Sequence, residues 1–232
     1  MVEIGGYPVL WHIMKIYSHF GFNDFYVCLG YKGYMIKEYF ANYFLRSTDV
    51  TFHVAENRME LLRNSAEPWR VTLVDTGDRT QTGGRIRRVL PYVENDPFFA
   101  LTYGDGLADI NLAAEVAFHK RHGRAATVAA VRPAMRFGAL SVEGDRVVTF
   151  EEKPEYEHGW VNGGFFVLSP SVCELIADDQ TAWEREPMQT LASRDQLRAY
   201  FHNGFWHPMD TLRDRNFLEE QWTQGVAKWR IW

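Results

Sequence analysis

The sequence predicts an α/β fold built around a parallel sheet. After a first helical segment, strand-like and helix-like segments alternate along the chain, which is the pattern of repeated βαβ units. A strand-forming apolar run opens at Phe98 and ends at Gly104-Asp105-Gly106, so a carboxylate stands between two flexible residues. Because ligands bind at the carboxyl ends of strands in open α/β sheets, we predict a binding site at Asp105.

The individual elements follow from apolar spacing and from turn residues. Apolar residues at helical spacing predict helices at 7–20, 34–44, about 86–92, 111–122, 172–177, 181–192 and about 212–224. Runs of β-branched and aromatic residues predict strands at 25–30, 50–54, 69–74, 98–103, 125–131, 139–142, 146–150, 161–168 and 197–202. Residues 57–68 are polar and are predicted to be an irregular connection, whereas Glu143-Gly144-Asp145 predicts a hairpin turn.

Composition limits the class of protein. The 232 residues are 46% hydrophobic and 15% aromatic, enough for the core of one large or two small domains. The net charge of −5 and the absence of a basic tract argue against generic nucleic-acid binding. No apolar run has the length of a membrane span, and the first residues do not form a signal peptide. Cys28 and Cys173 are expected to be small buried side chains in a reducing compartment, the cytoplasm.

Three stretches carry candidate chemistry. Asp105 suits Mg²⁺ held jointly with substrate phosphates, although Gly-Asp-Gly is also typical of a tight turn or a helix cap. The loop at 75–85 is rich in hydroxyls and glycine and precedes a helix, which suits an anion or a nucleobase edge; the alternative is a solvated loop. Gly163 and Gly164 stand inside a strand and indicate a close approach of the backbone to another group.

Four motifs in order resemble those of the sugar-nucleotide pyrophosphorylases. They are Tyr-Gly-Asp-Gly at 103–106, Glu-Lys-Pro at 152–154, Asn-Gly-Gly-Phe-Phe-Val at 162–167 and Met-Asp-Thr at 209–211. The loop at 75–85 and the strings at 10–14 and 67–69 resemble the glucose-1-phosphate cytidylyltransferases of that family. The resemblance implies a Rossmann-like mixed, mostly parallel sheet with helices on both faces, plus a small β-rich sugar-binding part. It implies one domain, with a nucleotide-binding half at about 1–132 and a sugar-binding half with the C-terminal helices at about 133–232.

The same resemblance implies a reaction and a set of site residues. The reaction is Mg²⁺-dependent transfer of a cytidylyl group from CTP to glucose 1-phosphate, with thymidylyl or uridylyl transfer as the alternative. The implied catalytic and metal-binding acids are Asp105 and Asp210. The implied nucleotide-binding residues are Thr80, Gly83, Gly84, Arg85 and Gly104, and the implied sugar-phosphate-binding residues are Glu152, Lys153, Asn162, Gly163 and Gly164. The implied protein is a homo-oligomer without a membrane or nucleic-acid partner.

Simpler structural interpretations stand beside several of these assignments. Met-Asp-Thr before a helix is also typical of an N-cap at Asp210. Arg85 could be a first-turn helix residue that faces water, and Glu152-Lys153 could be a surface ion pair. The histidines, represented by His12, His119 and His207, are expected to be packed or solvated and are assigned no catalytic role.

One part of the family's pattern lies outside this sequence. The family has an N-terminal strand, a Gly-Gly-x-Gly-Thr-Arg loop that cradles phosphates and a Pro-Lys-Pro, and Met1 matches an internal methionine beyond them. One hypothesis is that the sequence is an N-terminally truncated copy of a working nucleotidyltransferase. The other is a non-catalytic homologue that binds a nucleotide sugar or assembles with an intact subunit.

Overall fold

The structure, a computed structural model, describes residues 1–62, 66–133, 139–143, 145–151 and 159–232. Its helices are α1 Val9–His19, α2 Gly33–Ala41, α3 Tyr43–Ser47, α4 Thr82–Val93, α5 Leu112–His122, α6 Glu186–Ser193 and α7 Leu212–Thr223. Its strands are β1 Glu3–Ile4, β2 Tyr7–Pro8, β3 Asp24–Leu29, β4 Val50–His53, β5 Arg58–Leu61, β6 Arg70–Asp75, β7 Phe99–Thr102, β8 Gly106–Ala108, β9 Ala126–Val131, β10 Ala139–Glu143, β11 Arg146–Glu151, β12 Val161–Leu168, β13 Leu197–Phe201 and β14 Trp206–Pro208. Short 3₁₀ helices lie at Val54–Glu56 and Pro170–Leu175.

A four-stranded mixed sheet forms the centre of the molecule, in the order β13-β9-β12-β7. β13 runs parallel to β9, and β12 is antiparallel to both β9 and β7, so three of the four strands share one direction. β3 and β6 form a separate parallel pair. The predicted mixed, mostly parallel α/β sheet is confirmed. β12 comes from the predicted sugar-binding half and lies between strands of the other half, whose division stays a prediction.

Helices cover both faces of this sheet, as predicted. Successive side chains of a strand point to opposite faces, and Phe165 and Phe166 on β12 enter two different cores. The core around Phe165 includes apolar residues of α1, α5 and α7. The core around Phe166 includes residues of α4, α6 and the 3₁₀ helix Pro170–Leu175.

His12 on α1 joins the two ends of the chain. Trp229 Nε1–H donates to His12 Nδ1 at 3.4 Å, so the neutral ring carries its proton on Nε2, which bonds Ile4 O at 2.9 Å. Burial lowers the pKa of His12 to about 4, which keeps the ring neutral. The predicted packing role of His12 is confirmed.

The hairpin predicted near residue 144 is confirmed by the pairing of β10 with β11. Four other predictions were wrong in detail. Residues 58–61 form a strand rather than an irregular connection, because their Arg-Met-Glu-Leu alternation pairs with β4 beyond a left-handed turn at Asn57. The helix predicted at 34–44 breaks at Asn42, and the segment at 172–177 is the 3₁₀ helix Pro170–Leu175.

Two helix starts also differ from the prediction. The helix expected from about residue 86 begins at Thr82, and the helix expected from residue 181 begins at Glu186. Gly83 and Gly84 have low helix propensity, which hid the first turn of α4, but both glycines are buried in tertiary contacts there.

The cysteines and helices also bear on the compositional predictions. Cys28 and Cys173 are free thiols, and Cys173 is buried in the core around Phe166. No helix within the described ranges combines the length and the apolar character needed to cross a membrane.

Glu115 on α5 is a buried acid without a hydrogen-bond partner within the described part of the chain. Its residue surface is only 1% exposed, and neither carboxylate oxygen is bonded. Burial raises the pKa of Glu115 to about 8. A carboxyl group whose pKa is raised on folding binds more protons in the folded state than in the unfolded one.

We therefore predict that stability falls as pH rises from about 5 to about 8, by roughly 2–5 kcal/mol from this residue. Glu115→Gln removes this pH dependence because the amide does not ionise. Urea unfolding at several pH values checks the prediction, with the exposed Glu94→Gln as the control. Parallel stability–pH curves for the wild type and Glu115→Gln contradict it.

Candidate functional site

The fold brings Asp105 and Asp210 together. β8 follows Asp105 directly and pairs antiparallel with β14, where Gly106 lies opposite Pro208. Beyond this pair, the Met209 N–H donates to the Asp105 carbonyl oxygen at 2.9 Å. Desolvation and the negative charge of Asp210 raise the pKa of Asp105, so the two carboxylates lie within electrostatic reach.

Neither acid serves as a helix cap. α7 is capped by Thr211, whose Oγ1 accepts from the Asp214 N–H at 3.2 Å, while Asp214 Oδ2 accepts from the Thr211 N–H at 2.9 Å. α5 is capped by Asn111. The N-cap interpretation of Asp210 is therefore wrong, as is the helix-cap interpretation of Asp105, and both acids are exposed.

The chemistry of this pair suits a divalent cation. Two facing carboxylates repel each other, and a bound cation would relieve that repulsion. Carboxylate oxygens are hard ligands of the kind that Mg²⁺ prefers. In the described ranges no three His, Cys, Asp or Glu side chains form a metal-binding group. One or two carboxylates completed by substrate phosphates is the usual Mg²⁺ arrangement, and the residues present fit it.

The predicted sugar-binding strand lies beside these acids. Asn162 Oδ1 accepts from the Gly164 N–H at 2.8 Å, and its Nδ2 donates to the Tyr103 hydroxyl at 3.3 Å. The Gly163 carbonyl accepts from Trp206 Nε1 at 2.8 Å. Trp206 begins β14, the strand that leads to Asp210, so the Asn162–Gly164 segment and the acids belong to one region of the molecule.

The paired glycines of β12 make room for other parts of the protein. A Cβ on Gly164, whose φ is +76°, would lie 2.7 Å from Tyr103 Cδ2. A Cβ on Gly163 would lie 2.6 Å from Val131 Cγ1. The predicted close backbone approach is therefore confirmed for these protein contacts, and contact of the glycines with a sugar stays a prediction.

Arg85 on α4 reaches the carboxyl ends of β3 and β6. Its Nη1 donates to the Leu29 carbonyl at 3.1 Å and to Thr76 Oγ1 at 2.7 Å. The water-facing interpretation of Arg85 is therefore wrong. The guanidinium places positive charge at the sheet edge where an anionic ligand would bind. Thr80, in the preceding loop, is buried.

The glycines of the nucleotide motif have different surroundings. A Cβ on Gly83 would lie 2.6 Å from the Thr181 carbonyl oxygen, and one on Gly84 would lie 2.6 Å from the Asp179 Cα, so both permit α4 to pack on that segment. Gly104 is exposed, and a Cβ there would meet nothing within 4 Å. The space at Gly104 is open to a ligand, whereas the space at Gly83 and Gly84 is filled by protein.

Glu152 and Lys153 lie outside the described residues. Sequence reasoning missed two side chains that organise the site, Glu184 and Trp206. Glu184 Oε2 accepts from Thr82 Oγ1 at 2.7 Å, a contact that spans 102 positions of the chain. No local pattern marks such a residue, whereas Tyr103 stands within a motif that the sequence analysis had singled out.

Comparison with known proteins agrees with this architecture. The family model described as nucleotidyl transferase matches residues 1–211. Two glucose-1-phosphate cytidylyltransferases, from Salmonella typhi and Salmonella typhimurium, are each 58% identical over 232 residues, which is 100% of this chain and 90% of theirs. The chain belongs to the nucleotidyl transferase family.

A solved structure shares the fold. The crystal structure of HddC from Yersinia pseudotuberculosis superposes with a TM-score of 0.68 at 18% identity, covering 96% of this chain and 88% of that one. At this identity the likeness concerns the fold alone, and it matches the mixed sheet covered by helices described above.

Asp210→Asn tests whether the two carboxylates interact. We expect the pKa of Asp105 to fall toward its ordinary value, because the amide removes the neighbouring negative charge. Carbon-13 NMR titration of the Asp105 carboxyl measures the change, and Asp96→Asn at an exposed position serves as the control. An Asp105 pKa that is the same in both variants contradicts the proximity of the acids.

Gly83→Ala and Gly104→Ala separate packing from ligand space. Gly83→Ala is expected to lower the free energy of unfolding by about 1–3 kcal/mol, because the methyl group collides with backbone. Gly104→Ala is expected to change it by less than about 0.5 kcal/mol, since its methyl group enters open space. Urea denaturation of both variants checks this, and equal losses of stability contradict the distinction.

Proposed function

We propose that the protein transfers a cytidylyl group from CTP to glucose 1-phosphate, producing CDP-glucose and pyrophosphate. The observation that carries the proposal is the full-length 58% identity to two proteins named glucose-1-phosphate cytidylyltransferase. The convergence of Asp105 and Asp210 at one sheet edge supports it, because phosphoryl chemistry needs charge neutralisation at such a position.

The proposed reaction is an in-line displacement. A phosphate oxygen of glucose 1-phosphate forms a bond to the α-phosphorus of CTP, and the bond from that phosphorus to the bridging oxygen of the β-phosphate breaks. Pyrophosphate leaves with the bonding electron pair. Such a reaction depends on positioning and charge neutralisation more than on a protein base.

Each group of predicted site residues has a task in this proposal. Asp105 and Asp210 would hold Mg²⁺, which when bound neutralises phosphate charge and keeps the reacting groups aligned. Thr80, Arg85 and Gly104 would bind the nucleotide, together with the glycines Gly83 and Gly84. Arg85 can add charge-assisted hydrogen bonds to phosphate or base.

The sugar phosphate is assigned to the second half of the site. Asn162, Gly163 and Gly164 would line the sugar pocket, with Glu152 accepting hydrogen bonds from sugar hydroxyls and Lys153 pairing with the phosphate. Asn162 retains one amide N–H and one oxygen lone pair beyond its protein contacts, which suits a sugar hydroxyl.

The setting of the reaction is also a proposal. The free thiols at Cys28 and Cys173 are consistent with a reducing compartment, so we assign the protein to the cytoplasm. Homo-oligomer formation follows from the family resemblance, and light scattering coupled to size exclusion measures it directly.

Pyrophosphate release tests the function. With glucose 1-phosphate and Mg²⁺, we expect CTP to be used in preference to dTTP and UTP. Asp105→Ala is expected to reduce the rate by about 10²–10³-fold, because it removes an electrostatic contribution to the transition state. Asp96→Ala, at an exposed position, is the control and should retain the wild-type rate.

Two results redirect the proposal. Preferential use of dTTP or UTP contradicts the base assignment but not the reaction class. CDP-glucose binding without pyrophosphate release favours a non-catalytic nucleotide-sugar-binding protein. Repeating the assay on a longer chain with the family's Gly-Gly-x-Gly-Thr-Arg loop ahead of Met1 tests whether that loop restores turnover.

A further inference from the structure

The Glu184 carboxylate lies where two parts of the candidate site meet. Its Oε2 accepts a hydrogen bond from Thr82 Oγ1 at 2.7 Å, at the first residue of α4. The Thr82 hydroxyl in turn accepts from the Trp183 N–H at 2.9 Å. Its donor is used and one acceptor position is occupied, so this hydroxyl holds Glu184 in place at the start of the helix.

The Tyr103 phenol is the second partner of Glu184. Burial and hydrogen bonding to Glu184 raise the pKa of Tyr103 well above its usual value. Asn162 Nδ2 donates to the same phenol oxygen at 3.3 Å. The phenol therefore connects a carboxylate on one side with the side-chain amide of the predicted sugar strand on the other.

Tyr103 has little freedom to move independently of that strand. Its backbone N–H donates to the Gly164 carbonyl at 3.0 Å, and its ring fills the space above Gly164 that a Cβ would occupy. Asn162 Oδ1 is held by the Gly164 N–H. The orientation of the Asn162 amide consequently depends on both Gly164 and the Tyr103 hydroxyl.

A carboxylate is the side chain that this position requires. Thr82 and Tyr103 both present hydroxyl donors to residue 184, so the residue must accept two hydrogen bonds. Glutamate is acceptor-only and has two oxygens, whereas glutamine has one oxygen and would turn an amide donor toward one of the hydroxyls. Glu184 is exposed, so its substitution leaves the core intact.

We propose that Glu184 is a positioning residue that orients the Asn162 amide for the sugar through Tyr103 and anchors the start of α4 through Thr82. This inference rests on the proposed function. Glu184 acts through its neighbours and is not itself a contact of the substrate. Its removal is therefore expected to weaken sugar recognition more than nucleotide binding or turnover.

Glu184→Gln tests the inference by steady-state kinetics. We expect KM for glucose 1-phosphate to rise about tenfold, the effect of losing one charge-assisted hydrogen bond, with KM for CTP and kcat each changed less than about threefold. Tyr103→Phe should raise the same KM, and the double variant should be no worse than either single variant. Glu186→Gln, an exposed acid in the same segment, is the matched control.

The outcomes separate this inference from the proposed function. A KM for glucose 1-phosphate equal to that of Glu186→Gln overturns the inference, as do additive effects in the double variant or equal losses for both substrates. If the wild type binds CDP-glucose without turnover, calorimetric Kd values for CDP-glucose and CTP give the same comparison. A wild type that neither turns over nor binds CDP-glucose contradicts the proposed function and this inference together.

Discussion

The pairing of β8 with β14 is the contact on which the candidate site depends. This short ladder places Asp105 beside Met209, and thereby brings two acids from distant parts of the sequence within electrostatic reach. Their repulsion opposes the arrangement, so other contacts must hold it. Trp206 anchors β14 to the Gly163 carbonyl, and the Thr211–Asp214 capping box fixes the helix that follows Asp210.

β12 connects this pair with the rest of the site. It lies between β9 and β7, and its side chains divide between the two cores at Phe165 and Phe166. The glycines at its amino end allow Val131 and Tyr103 to approach closely, so the strand is held by packing on both sides. A well-packed strand gives Asn162 a defined position from which to meet a ligand.

Local chemistry predicted most elements but not their limits. The alternation in 58–61 was hidden by charged residues, and the first turn of α4 was hidden by glycines, because tertiary contacts offset their low helix propensity. Asp210 shows the reverse case. Its local pattern suited an N-cap as well as a ligand, and the cap proved to be Thr211. Boundaries and caps depend on neighbours that a sequence window does not contain.

The sequence by itself determined the α/β class, the motifs that mark the nucleotidyl transferase family and the types of side chain at the site. Each of these depends on periodicity or on residues that are close together in the chain. Only the tertiary structure decided that Asp105 meets Asp210, that Arg85 reaches the ends of β3 and β6, and that Glu184 joins Thr82 to Tyr103. These contacts are made by strand pairing and close packing between distant segments, which leave no periodic signal in the sequence.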